Sequence, residues 1–385
     1  MPDSFASLSW PDAVYVHVPF CRHRCGYCDF TLIANRRQLI PEWLELLARE
    51  FAQECAAVPA PLPVNTIFLG GGTPTHLNAD ELRQLFGLIG GYFTLNPGGE
   101  FSVEANPEDL TDECLETLAD AGVNRISLGI QSFDSDVLKT LERSHSPDMA
   151  SNAVIRAARL IPNTSLDLIF GVPGQTLESW MQTLHTATSL PVRHISTYGL
   201  TFEQGTAFFR REKTGKLHRV PDELEKHMYL AAISHLQANG LEHYEVSNFA
   251  QPGASCRHNM VYWQAREYFA FGPGAARYVH GVRTTNCRSV VRWMNSWKQG
   301  QACHEDSEQL SGEEKAREAI LLALRLRSGL QIAEFESRFD CSLKALAGDV
   351  LDQQLQSQLV EILDGALRLT PQGLLLTDSV VAEYL

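Results

Sequence analysis

No apolar run in this 385-residue chain approaches the about 20 residues that a membrane-spanning helix needs. The opening Met1-Pro-Asp-Ser-Phe5 has neither the basic stretch nor the apolar core of a secretory leader. Positive charge is also in deficit: 32 Lys and Arg stand against 46 Asp and Glu, a net charge of −14. That balance supplies no general phosphate-binding surface, so nucleic acid is not expected as a partner. Clustered cysteine is scarce as well. Of nine cysteines, only Cys21, Cys25 and Cys28 lie close together; Cys55, Cys114, Cys256, Cys287, Cys303 and Cys341 are scattered. An odd, scattered set is no disulfide framework, so the expectation is a cytoplasmic protein with metal at the cluster and core or surface thiols elsewhere.

What is present is more specific. Cys21, Cys25 and Cys28 form a CxxxCxxC loop, whose three thiolates can hold three corners of a cubane iron–sulfur cluster and leave the fourth iron without a protein ligand. An open iron can bind and activate another molecule, whereas an electron-transfer cluster normally carries four cysteines. A structural zinc site is the alternative, and it needs a fourth Cys or His nearby; His17 and His23 are in range, although His23 lies inside the loop.

Periodicity predicts six βα-type units in the first half. Strands are expected at 14–18, 65–69, 101–104, 125–128, 165–170 and 194–200, with helices at 41–57, 79–92, 107–121, 146–160 and 177–190 between them. Such alternation demands a parallel sheet with right-handed crossovers, which curls into an open, partial (β/α)6 TIM-like barrel with its site at the carboxyl ends of the strands. The polar and glycine residues sit just there. The cysteine loop follows the first strand, Gly70-Gly-Gly-Thr-Pro74 the second, Glu104-Ala-Asn-Pro107 the third and Gln131-Ser-Phe133 the fourth, while Asp167 lies within the fifth. Each has a plainer reading: the glycines as a tight turn, Glu104 as a solvated carboxylate, Asp167 as a core residue capping an amide, Arg143 as a helix-end cation.

With these motifs the chain resembles the radical S-adenosylmethionine superfamily. The stretches Tyr15-Val-His-Val-Pro-Phe-Cys21, Glu104-Ala-Asn-Pro107, Gly129-Ile-Gln-Ser-Phe133, Asp167-Leu-Ile-Phe-Gly171 and Cys256-Arg-His-Asn-Met-Val-Tyr-Trp263 resemble its oxygen-independent coproporphyrinogen III oxidase subgroup over nearly the whole length. The resemblance implies a [4Fe–4S] cluster on Cys21, Cys25 and Cys28 whose open iron chelates S-adenosylmethionine and, with one electron, cleaves it to a 5′-deoxyadenosyl radical. It further implies that Tyr15, Gly71, Gly72, Thr73, Glu104, Gln131, Arg143 and Asp167 contact S-adenosylmethionine. Glu104 suits its ammonium or ribose, Asp167 its ribose hydroxyls and Arg143 its carboxylate.

Two branches of the subgroup compete. The decarboxylating oxidase carries a further cysteine two places after the third ligand, where this chain has Phe30. The sister branch, the HemW-type haem chaperones, resembles this chain in Cys28-Asp-Phe30 and in the signature HNxxYW, here His258-Asn-Met-Val-Tyr-Trp263. The chaperone branch is therefore expected, with the oxidase or another tetrapyrrole-modifying enzyme as the alternative. On that reading His258 is a candidate haem ligand and Cys256 a second one; the plainer reading is that the motif stitches a second region onto the barrel. The implied partners are haem as cargo, an electron donor, and haem-accepting proteins that can lie at or near the membrane. The glycines of Tyr268-Phe-Ala-Phe-Gly-Pro-Gly-Ala275 are assigned to packing or to close approach of S-adenosylmethionine.

Three regions are expected: the barrel over 1–220, an HNxxYW-bearing region over 221–305 that packs on it, and a mainly α winged-helix-like domain over 306–385. The last is expected to hold helices at 311–326, 332–339 and 351–363 and a hairpin over 367–377 turning at Pro371 to Gly373.

Overall fold

The computed structural model describes residues 10–385, so the reading of the leader, which rests on residues 1–9, lies outside them. Six parallel strands form the barrel: β1 (Ala13–Val18), β2 (Leu62–Gly71), β3 (Phe93–Ala105), β4 (Arg125–Gln131), β5 (Asn163–Phe170) and β6 (His194–Gly199). Between them run α1 (Ile40–Glu54), α2 (Ala79–Tyr92), α3 (Asp112–Asp120), α4 (Pro147–Leu160) and α5 (Leu177–Ser189). The start of each of the last four is written in the sequence. Asn78, Thr111, Ser146 and Thr176 each accept a hydrogen bond from the amide three residues on, a cap contributing about 1 kcal/mol. Pro107 begins a separate short turn, Pro107–Asp109, so the helix expected from 107 starts only after Thr111 caps it.

The sheet is wider than six strands. After α6 (Asp222–Ala238), β7 (Glu242–Glu245) and β8 (Asn248–Ala250) add antiparallel beside β6. Beyond a short helix α7 (Arg257–Trp263), β9 (Phe269–Phe271) returns across the molecule to pair parallel with β1. The order is β9-β1-β2-β3-β4-β5-β6-β8-β7, and among the described residues the two edges do not pair, so the barrel stays open. The region 221–305 shares the barrel's hydrophobic core through Met228, Phe249, Phe271, Trp293 and Trp297.

Alternation explains why the lumen is not filled. Ser102 and Glu104 on β3, Ser127 and Gly129 on β4, Asp167 on β5 and Ser196 on β6 point inward, while Val103, Leu128, Leu166 and Leu168 face the helices. A closed barrel of this kind packs its interior with bulky branched residues. Small polar residues here leave a cavity.

The C-terminal module has its own core around Ile320, Leu324, Phe335, Leu367 and Tyr384. Its helices Gly312–Ala323, Ile332–Phe339 and Leu343–Gln356 stand against a three-stranded antiparallel sheet, a winged-helix-like arrangement. The expected helix at 351–363 is wrong in its second half, since Val360–Leu363 is a strand paired with Ala366–Leu369. The hairpin turns at Asp364-Gly365, both at positive φ, an Asp-Gly turn that the sequence offers openly. Thr370 and Pro371 instead cap and begin a short helix, Pro371–Leu374. A second correction concerns the scattered thiols: Cys287 and Cys303 are paired as a disulfide, Cα atoms 5.6 Å apart. Among the described residues no helix is long and apolar enough to cross a membrane.

Candidate functional site

The cysteine loop is held at both ends. Phe20–Cys21 pairs with Ile33–Ala34, and the Gly72 and Thr73 amides donate to the Val18 and Phe20 carbonyls at 2.8 Å each. Arg24, inside the loop, donates to the carbonyls of Cys28, Phe30 and Leu32 at 3.2, 3.1 and 2.9 Å. Arg22 reaches Asp109 at 3.0 Å. His17 anchors the far side. Its Nε2 donates to the Thr31 carbonyl at 2.6 Å, so Nδ1 is the acceptor for the Tyr15 hydroxyl at 3.0 Å. Burial lowers the His17 pKa to about 4, which keeps the ring neutral and this tautomer in place.

The glycine turn permits this closeness. Gly71 has φ +105°, and a Cβ there would lie 2.3 Å from the His17 ring. At Gly72 a Cβ would meet the Phe20 and Val18 carbonyl oxygens at 2.7 and 2.8 Å. Thr73, buried, takes a hydrogen bond from Asn106 Nδ2 at 2.8 Å, which leaves its own proton for the Cys21 sulfur at 3.2 Å. Burial nevertheless pushes the Cys21 thiol up to about 12 and raises Cys28 as well.

Glu104 accepts the Gly71 amide at 2.9 Å, and its carboxyl is raised to about 7, first by burial and then by Asp167. Asp167 is itself raised by burial and takes the Ser127 hydroxyl at 3.1 Å. Both face the enclosed lumen rather than bulk water. Gln131 ends β4 at φ +65°, on the cavity wall. Arg143 does not stand free in the cavity. It donates to Asn106 Oδ1 at 2.6 Å and the Gly129 carbonyl at 2.9 Å, and lies 3.8 Å from the Cys25 sulfur.

Cys21, Cys25, Cys28, Tyr15, Gly71, Gly72, Thr73, Glu104, Gln131, Arg143 and Asp167, the eleven residues expected at the site, all line one cavity of 1460 Å³. Among the described residues no three His, Cys, Asp or Glu side chains converge tightly enough for a single ion. Three thiols spread around a cavity suit the corners of a larger cluster better than a zinc ion, and two of them already meet hydrogen-bond donors, Thr73 and Arg143, that favour a sulfur carrying negative charge.

His258 sits differently from its expected role. It is 1% exposed, with Nδ1 on the Thr66 hydroxyl and Nε2 on the Tyr262 hydroxyl, both at 2.9 Å, and its ring stacks on Phe68. Both ring nitrogens are engaged, so in this conformation neither is free for iron. Cys256 is also buried, its sulfur 3.7 Å from Glu100, whose carboxylate accepts the Arg257 and His258 amides at the start of α7. The glycines after Phe271 serve packing: a Cβ at Gly272 would lie 2.5 Å from the His17 carbonyl, and one at Gly274 2.3 Å from Thr31 Oγ1. Asn106 and Arg24 were missed as site residues, and His17 was named only as a possible zinc ligand. Asn106 and His17 do sit inside the Glu104-Ala-Asn-Pro107 and Tyr15–Cys21 stretches, the signal that could have found them.

Comparison with known proteins gives the family. Residues 15–187 match the radical SAM superfamily and residues 310–376 the HemN C-terminal domain. The heme chaperone HemW of Bacillus subtilis is 37% identical over 97% of this chain and 99% of its own. This chain belongs to the HemW family. Its Mycobacterium tuberculosis relative of the same name is 37% identical over 97% of this chain and 95% of its own. The mitochondrial radical S-adenosyl methionine domain-containing protein 1 of Danio rerio is 31% identical over 100% of this chain and 89% of its own. The structure of coproporphyrinogen III oxidase HemN from Escherichia coli superposes with TM-score 0.85 over 97% of this chain and 90% of its own, at 22% identity, a likeness of fold. The superfamily to which the barrel belongs works with a [4Fe–4S] cluster and S-adenosylmethionine.

Proposed function

We propose that the protein is a haem carrier built on a radical SAM barrel: it takes up haem and passes it to haem-accepting proteins in the cytoplasm or at the membrane face. The observation that carries this reading is the shared cavity. Its barrel side presents the three thiols and the residues suited to S-adenosylmethionine, while the C-terminal module adds the apolar Leu374, Leu375 and Leu376 beside the polar Gln372, Thr377, Asp378 and Ser379. A drug-sized ligand fills roughly 300–1,000 Å³, so 1460 Å³ leaves room for a second, flat occupant. Full-length likeness to proteins named heme chaperones supports haem as that occupant.

On this reading Cys21, Cys25 and Cys28 hold the [4Fe–4S] cluster, and one-electron chemistry at its open iron is what the bound cluster contributes. Thr73 and Arg143 donate to the Cys21 and Cys25 sulfurs and so stabilise them as thiolates. Glu104, raised to about 7 by burial and by Asp167, is held as a carboxylate by the ammonium of an entering ligand, and Asp167, raised by burial, faces its ribose hydroxyls. Tyr15, Gly71, Gly72 and Gln131 shape that pocket. Phe30, 58% exposed at the cavity mouth, sets an apolar ring where the oxidase branch has a thiol.

Anaerobic, cluster-reconstituted protein should bind haem, transfer it to an apo-haemoprotein, and leave coproporphyrinogen III unchanged. Decarboxylation with stoichiometric 5′-deoxyadenosine would overturn the carrier reading in favour of the oxidase.

A further inference from the structure

The last residue of the HNxxYW stretch points to where a cargo would bind. Trp263 lies under the guanidinium of Arg325, whose Cζ is 5.1 Å from the ring centroid. Arg325 lines the cavity together with Tyr229 and the Leu374–Ser379 segment. Its backbone is fixed to the barrel edge: the Val246 amide donates to the Arg325 carbonyl and the Arg327 amide to the Tyr244 carbonyl, both at 3.0 Å. A cation is thus placed beside the leucines of the C-terminal module, on a backbone tied to the barrel edge.

The same cavity carries large apolar side chains that stand exposed. Phe30, Tyr198 and Leu376 are 58%, 42% and 48% exposed, and all three line this cavity. Large exposed apolar side chains gathered in one cavity mark a binding site.

The charge pattern then orients the occupant. A guanidinium carries five N–H donors, and the side-chain partner of Arg325 is Asp378 at 3.2 Å. Asp378 is 94% exposed, and a pair open to water contributes little. A ligand carboxylate brought into the cavity beside Leu376, partly out of water, competes well with it. Glu245, buried close by, completes the anionic surroundings of Arg325. Lys226, another cation lining the cavity, is tied to Glu223 at 3.2 Å, among Asp222 and Glu225, which repel a carboxylate.

We infer that Arg325 is the carboxylate-binding residue of a site for a flat, apolar, carboxylate-bearing macrocycle, and that Asp378 occupies it until the ligand displaces it. This rests on the haem-carrier reading and deepens it: the macrocycle lies between Phe30, Tyr198 and Leu374–Leu376 with its propionate edge at Arg325. The HNxxYW stretch then acts through Trp263 as a positioning element, while His258 stays in the barrel wall.

The experiment uses the full-length, cluster-reconstituted protein with iron protoporphyrin IX and its dimethyl ester as probes, read by Soret titration. Asp378→Asn, on an exposed side chain, should tighten haem binding by up to about fivefold, the gain from removing a weak competing pair. Arg325→Met should weaken it about tenfold or more, as loss of a charged hydrogen bond does, and Arg325→Lys, which keeps the charge, should weaken it less. The dimethyl ester, lacking the carboxylates, should bind parent and all variants alike. If Arg325→Met does not fold, Asp378→Asn and Arg325→Lys carry the test. Haem binding indifferent to these substitutions, or equal loss of haem and ester, overturns the site while leaving the carrier reading intact. A parent protein that takes up no haem overturns both.

Discussion

Replacing Gly71 with alanine should break the cofactor cradle from within. The residue sits at φ +105°, and an added Cβ would lie 2.3, 2.4 and 2.7 Å from three atoms of the His17 ring. An L residue in that backbone region costs about 1–2 kcal/mol. His17 cannot simply swing away, because it is pinned between the Tyr15 hydroxyl and the Thr31 carbonyl. Losing both hydrogen bonds costs about 2 kcal/mol, and overpacking of the surrounding wall adds roughly 1–3 kcal/mol. The combined effect is about 4–7 kcal/mol, against a total stability on the order of 5–15 kcal/mol. Gly87→Ala is the control, since its Cβ would meet nothing within 4 Å and it lies inside α2. Alanine in a helix interior gains up to about 1 kcal/mol over glycine. Urea unfolding of the cluster-free protein, followed by circular dichroism, should show the Gly71→Ala midpoint lowered by about 1 M or more, with Gly87→Ala at or above the parent. Because the Thr31 carbonyl is the loop's anchor, iron uptake on reconstitution should fall too. A Gly71→Ala midpoint matching the parent, beside a well-behaved control, would refute the picture of a locked His17.

Other consequences can be checked separately. Alanine at Cys21, Cys25 or Cys28 should abolish the visible absorbance and magnetic-resonance signal of the reconstituted cluster; an unchanged spectrum would remove that cysteine from the ligand set. Glu104 is raised in the folded state to about 7, so the ligand-free protein binds that proton more tightly than its unfolded chain and loses stability as pH climbs from about 4.5 to 7. Glu104→Gln, which still accepts the Gly71 amide, should remove this slope and be more stable than the parent by on the order of 1–3 kcal/mol above pH 7, with little difference at pH 4.5; parallel stability profiles would contradict it. His258→Ala strands the Thr66 and Tyr262 hydroxyls in the wall and should cost about 2–4 kcal/mol. Haem uptake per folded molecule should survive that change, and a protein of unchanged stability that no longer binds haem would restore His258 as the ligand.

Much of the barrel could be read from the chain because its signals are local. Period-two strands, 3.6-period helices and Ser, Thr or Asn caps act over a few residues, and helix 79–92 is recovered to the residue as α2. The CxxxCxxC loop and Gly70–Pro74 were legible for the same reason: each is a short backbone device whose spacing carries its geometry. Errors came where a local signal was overlooked, as with Asp364-Gly365 and with Thr370-Pro371 in the C-terminal module.

By itself, then, the sequence determined the kind of fold, the thiol loop and the inward carboxylates Glu104 and Asp167, because strand alternation decides which side chains face a lumen. Only the tertiary structure decided what those residues touch. That β9 pairs with β1 across more than 250 positions, that Arg143 turns to Cys25, that His258 is bound on both ring nitrogens and that Trp263 lies under Arg325 are all contacts between distant segments. Such contacts depend on how whole elements pack, and no spacing along the chain records them.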